Sequence, residues 1–236
     1  MSMGDDYLPA EPHGELTEAF PGVFLVTGRL ALRWGHATRN MVVLRDGGEL
    51  TVVNSVRLTP AGEARLEALG AVRHVIKLGA FHDRDDPWYK HRFGAQVWAF
   101  PKARHSRGLS TDHEIVEAGE LPVPGAELFR FRGARHPEGA LLLPGGVLLT
   151  TDSVQHHPDT EGCSPIARIA MNLMGFRRAP AVVGPPWRKA MSAGGGNLRA
   201  DFERLAALDF QHLIGAHGKP LRDTAREAVA ALARSF

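Results

Sequence analysis

Short apolar runs that each give way to a loop bearing histidine or aspartate constrain this chain more than any other feature. His82, His136, Asp152 and His217 each follow a predicted strand, and the strand before His217, residues 212–216, is the most apolar-looking of the set. Rigid strands aim short ligand-bearing turns at a common point along one edge of a sheet. The layout is that of a candidate metal site assembled from widely spaced loops.

Length and composition bound what surrounds that site. The 236 residues fit one large α/β domain, here expected over residues 20–236 after an N-terminal extension of residues 1–19. A hydrophobic share of 44% against 23% charged is ordinary globular composition, enough for a sizeable core without disulfides. Cys163 is the one cysteine, so no disulfide forms within the chain. The first ten residues contain Asp5 and Asp6 and no apolar run resembling a signal peptide, which points to a reducing, cytoplasmic setting. No segment reaches the ~20 apolar residues of an integral membrane span. The formal charge of +2 comes from scattered basic residues rather than one tract, which argues against nucleic acid as partner and for a small-molecule substrate. The local group Lys102, Arg104, His105 and Arg107 reads as a solvated loop.

The pattern predicts strands over 23–27, 41–44 and 50–53, the last two joined by the tight turn Asp46-Gly47-Gly48. Thr59-Pro60 is an N-cap and first-turn pair, so residues 59–70 form a helix that Gly70 ends. A strand over 72–78 delivers the loop 79–86; a helical turn over 88–92, capped by Asp86 before Pro87, precedes a strand over 95–99. Strands over 128–132, 140–143 and 147–150 echo the first half, and helices over 198–208 and 223–236 carry apolar stripes that cover outer faces. The expected class is α/β, an αββα sandwich of two mixed β-sheets flanked by helices.

Five pieces of this sequence resemble, in order, the motifs of the metallo-β-lactamase-like hydrolases across residues 20–221. Val52-Val53-Asn54-Ser55 stands where the family has a strand ending in Asp-Thr-Gly, and residues 76–86 where it has the H-x-H-x-D-H loop. Arg135-His136-Pro137-Glu138-Gly139 is similar to its Gly-His-Thr-Pro-Gly turn, Thr150-Thr151-Asp152-Ser153 to its Thr-Gly-Asp, and Ala216-His217-Gly218 to its closing Gly-His-Gly. The loop departs from the pattern: with His82 as its second histidine, Ala80 replaces the first, Arg84 the aspartate and Asp85 the last histidine.

What the resemblance implies is therefore an altered, mononuclear site drawn from His82, Asp85, His136, Asp152 and His217. That set suits one divalent metal, zinc first, with iron or manganese as carboxylate-tolerant alternatives. A metal-activated water would attack an ester, thioester, lactone or phosphodiester, with Asp152 or Asp85 as proton acceptor and Asp152 preferred. The competing expectation is a non-catalytic binding protein in which Arg84 takes the ion's place through a salt bridge to Asp85 or Asp152.

The rest of the chain supplies surroundings. His74 and His212 read as structural, and His156 and His157 as residues lining the pocket behind Asp152. Ile166, Ile169, Ala170, Leu173 and Met174 share a helical face, expected first against the core or in a homodimer contact, with a lid over an apolar acyl substrate or a helix resting on a membrane surface as alternatives. Residues 180–186 and 192–196 are turn and hinge material, with Trp187, Arg188 and Lys189 between them near the substrate.

Overall fold

The computed structural model describes residues 7–192 and 197–236, so most of the run read as a hinge at 192–196 lies outside the described residues. Among the described residues, eleven strands form two sheets. The first holds β1 (Thr17–Phe20), β2 (Val23–Leu32), β3 (Gly35–Asp46), β4 (Glu49–Val53), β5 (Ala71–Lys77), β6 (Gln96–Ala99) and β7 (His113–Glu114) in sequence order. It is antiparallel up to β4 and parallel beyond, because α1 (Pro60–Glu67) and α2 (Asp86–Phe93) carry the chain back over one face. The second sheet runs β11 (His212–Ile214), β10 (Val147–Leu149), β9 (Gly139–Leu143), β8 (Glu127–Arg130), with β10 and β11 parallel.

Alternation along the strands builds the layers. Val42, Leu44, Val53 and Ile76 of the first sheet pack against Leu141, Leu143, Leu149 and Ile214 of the second, forming the central core. Their neighbours Met41, Val43, Val52 and Val75 face outward onto Leu66 of α1 and Tyr89 of α2. On the far side Ala140, Leu148 and Leu213 meet α4 (Pro185–Ser192), α5 (Leu198–Ala206) and α6 (Ala225–Ala233) through Trp187, Phe202 and Val229. This is the αββα sandwich that the sequence predicts, and no helix among the described residues is long and apolar enough to cross a membrane.

Several local expectations change. The β2–β3 hairpin runs to Leu32 and Gly35, beyond the predicted strand end at residue 27, because the pairing continues after apolar alternation stops. Within the segment read as an extension, β1 pairs with β2 and His13 bridges Gly28, so this stretch is part of the first sheet's edge. Asp85 takes the N-cap position and Asp86 the first turn of α2; Asp86 is buried and accepts a hydrogen bond from Ser55 Oγ at 2.5 Å. The helix α3 (Pro165–Met174) forms, capped by Ser164, but turns Ala167 inward and leaves Ile169 61% and Leu173 76% exposed rather than packed on the core.

Asn40 on β3 joins the sheets at the edge where the ligand-bearing loops emerge. Its backbone N–H donates to Ala216 O at 2.7 Å, and its side-chain Nδ2 donates to Gly215 O at 3.0 Å and Gly218 O at 2.8 Å. Asn40→Ala strands two carbonyls that water reaches poorly, so a stability loss of about 2–3 kcal/mol is expected. Urea denaturation measures it; an unchanged midpoint shows that the side chain does not brace the edge.

Candidate metal centre

Parallel neighbours present their C-terminal loops side by side, so the pairing of β10 with β11 brings residues 150–152 next to residues 215–217. The β5 loop arrives from the opposite sheet with His82 at φ +67°, a left-handed conformation costing roughly 1–2 kcal/mol for a residue with a Cβ. The three side chains meet. Asp152 Oδ2 lies 2.8 Å from His82 Nε2, and its Oδ1 lies 3.3 Å from His217 Nε2. One ligand atom from each of His82, Asp152 and His217 falls within 4.8 Å of the others, a group that could hold a metal ion.

Their surroundings fix their orientation. His217 Nδ1 donates to Thr38 O at 2.6 Å, which places the other ring nitrogen toward Asp152. Gln155 Nε2 donates to Asp152 Oδ1 at 2.7 Å, and Gln155 Oε1 faces His157 Nε2 at 2.8 Å. Burial alone would raise the Asp152 carboxyl, but its contacts with His82 and His217 outweigh that and hold it far below the usual carboxylate range. Burial likewise works to lower His217, and the Asp152 carboxylate more than reverses it. Burial brings His157 down to about 4, with the His217 and His156 charges adding to the effect, so it stands as a neutral imidazole.

Asp85 and His136 stand outside this group. Asp85 is buried in an ion pair with Arg39, and its Oδ2 also accepts the backbone N–H of Arg57 at 3.0 Å. Arg84, the residue expected to replace an ion, reaches Asp85 Oδ1 only at 3.8 Å and Glu11 at 3.9 Å; Arg39 is the intimate partner. His136 borders a separate cavity of about 230 Å³ with Lys77, Ala80 and Phe81. Of the residues read as pocket-lining, His157 is in place and His156 instead faces Pro180 O at 2.6 Å.

The sequence reading passed over Gln155, Thr38, Arg39 and Glu138. Arg39-Asn40 was detectable as a polar pair opening an otherwise apolar strand, and Glu138 lies two residues from His136 in a turn already singled out. Glu138 is fully buried, accepts hydrogen bonds from Thr151 Oγ1 and from Ala80 N at 3.3 Å, and packs so closely on Gly79 that a Cβ there would collide with its carboxyl.

Solved structures share the fold, although no family model and no curated protein matches the sequence. The metallo-β-lactamase FIM-1 from Pseudomonas aeruginosa, in a mono-zinc form, superposes with a TM-score of 0.65 at 14% identity, covering 96% of this chain and 97% of that one. A metallo-β-lactamase from Erythrobacter litoralis gives 0.65 at 18% identity over 94% of this chain and 96% of its own. VMB-1 gives 0.66 at 13% identity over 94% and 96%. The chain has the metallo-β-lactamase fold. At these identities the likeness establishes architecture and leaves the reaction to be argued from the site.

Burial pushes Glu138 up to about 8, assisted by the Asp152 charge and opposed by the Thr151 hydrogen bond. The ordinary glutamate value is about 4.3, so between about 4 and 8 the native state holds a proton the unfolded chain has lost, and stability falls as pH rises through that window. Glu138→Gln lacks this dependence, so its stability relative to the parent should increase from pH 5 to pH 8.5. Urea midpoints at several pH values check this; a constant difference would falsify the protonated Glu138.

Proposed function

We propose that the protein is a metal-dependent hydrolase that uses one divalent ion, zinc first, held by His82, Asp152 and His217. The observation that carries this reading is the convergence of two imidazoles and one carboxylate, each following a different strand, within 4.8 Å at one edge of the sandwich. The donor set fits the ion: two nitrogens and an oxygen suit zinc with a position open to water, and iron or manganese accept the same set. All three groups are partly accessible, and His217 is tethered through the nitrogen that would not ligate.

When bound, the ion supplies Lewis acidity, acidifying a water molecule toward a pKa of about 7 and polarising the oxygen of the group under attack. The chain's own residues do the rest. Asp152 presents Oδ2 to His82 and Oδ1 to His217 and Gln155; were the two imidazole nitrogens turned to the ion, one carboxylate oxygen would join them and the other would accept a proton from water. The water oxygen bonds to the acyl carbon or phosphorus, the bond to the leaving oxygen or sulfur breaks, and the leaving group departs with the proton. Gln155, held by His157, keeps the Asp152 carboxylate from rotating. Asp85 is not assigned the proton, because Arg39 and the Arg57 N–H occupy its carboxylate. The same pairing supports one ion rather than two: a guanidinium already balances the charge that a second cation would meet.

Protein purified without chelator or polyhistidine tag should contain about one zinc, iron or manganese per chain by elemental analysis. Asp152→Ala should lose that metal and, in a screen of esters, thioesters, lactones and phosphodiesters, at least about 100-fold in kcat/KM. Absence of metal from the parent protein and from the variant alike would sink the hydrolase and leave a charge-neutralised binding pocket, the reading that Arg39, Arg84 and Asp85 together favour.

A further inference from the structure

A cavity of about 290 Å³ opens directly off the candidate metal centre, with Asp152 and His217 in its wall. The remainder of the lining is mostly hydrocarbon, thioether and ring: Leu30 from β2, Ala167, Met171 and Met174 from α3, Phe176 and Trp187. Two of the polar side chains that reach it are engaged with their neighbours. His157 Nε2 is paired with Gln155 Oε1, and Gln155 Nε2 with Asp152, so each offers little to a ligand. The arginines of this segment turn elsewhere: Arg168 donates to Cys163 O at 2.8 Å and Arg177 to Pro158 O at 3.1 Å. No lysine or arginine is among the residues lining the cavity. An anionic group placed there would lose its water and gain no counter-charge, whereas an apolar group gains by leaving water.

We infer that this cavity receives an unbranched hydrocarbon chain of medium length, and that the substrate of the neighbouring centre is the ester, thioester or lactone of such a chain. The inference takes its reacting group from the proposed hydrolase and its chain from the cavity alone. At roughly 30 Å³ for each water-sized group, the volume holds a chain of about eight to ten carbons. Met171 and Met174, unbranched and flexible, suit a wall that follows a chain of variable conformation. The contiguity of cavity and ligand group sets the geometry: the chain lies along α3 while its polar end meets Asp152 and His217.

Linear 1-alkanols from butanol to dodecanol test this by calorimetric titration, since they bind without being hydrolysed and need no metal. Affinity should rise roughly threefold to fourfold per added methylene, and level off at about eight to ten carbons. Ala167→Phe and Ala170→Phe, which fill the cavity from α3 at an inner and a more open position, should each flatten that dependence while circular dichroism and metal content stay unchanged. Ala170→Phe preserves the test if the more buried substitution fails to fold. In the metal-loaded parent, kcat/KM for p-nitrophenyl esters should climb with acyl length over the same range, and not in Ala170→Phe. Affinity independent of chain length in the parent, or the same length dependence in a folded filled variant, overturns the chain cavity. Alkanol binding with no ester hydrolysed upholds the cavity and rejects the hydrolase.

Discussion

The parallel pairing of β10 with β11 is the constraint on which the site depends. Parallel neighbours start and finish together, so the two loops that follow them are forced to the same edge, and Asp152 and His217 are brought together by register rather than by any attraction of their own. The third participant needs the opposite sheet to be held at a fixed offset. Asn40 provides that hold through three hydrogen bonds to the β11 loop, one from its backbone and two from its side chain. His82 then closes the group at the cost of a left-handed backbone, a strain the surrounding packing must offset.

Buried carboxylates of this fold are accommodated in different ways, and the differences set Asp152 apart from the others. Asp83 is paired with Lys77 at 2.9 Å, and Asp201 accepts the backbone N–H groups of Arg132 and Gly133. Asp86 is pushed up to about 7 chiefly by burial, opposed by its Ser55 hydrogen bond, and Glu138 is held up in the same manner. Each of these solutions is internal to the fold. Asp152 instead faces two imidazoles that are partly open to solvent, and imidazole can lose its proton and turn the same nitrogen to a metal. Of these acids, it is the one grouped with imidazole nitrogens that could hold an ion.

The αββα order was legible because residues 41–44, 140–143 and 147–149 are short apolar runs bounded by turn residues, as strands buried on both faces must be, and the fold alternates their side chains between the central core and an outer helix layer. His82, Asp152 and His217 were legible for a related reason: each follows a strand end, and strand ends are what the pattern marks best. Asp85 lies outside that group because it pairs with Arg39, 46 residues away, and pairing at that separation leaves no trace in local spacing. In the turn of residues 135–139 the sequence directs attention to the histidine, yet the inward-facing acid is Glu138, a choice made by the close approach of Gly79 and Thr151. The stripe on α3 is a face that leaves Ile169 and Leu173 exposed rather than against the core, since periodicity gives an amphipathic direction without saying what lies on either side.

The Arg39–Asp85 pair also bears on how a fold of this kind can carry fewer ligands and stay intact. Two acids, Asp85 and Asp152, sit at the same edge, and two buried negative charges without partners would each cost several kcal/mol. At Asp85 the countercharge is a guanidinium, which does not deprotonate in a protein and is further anchored by Ser55 O at 3.3 Å. At Asp152 the partners are two imidazoles, each with a nitrogen that can instead ligate a metal. A guanidinium on one side and two imidazoles on the other leave the Asp152 side, onto which the apolar cavity opens, as the place where the side chains could hold an ion.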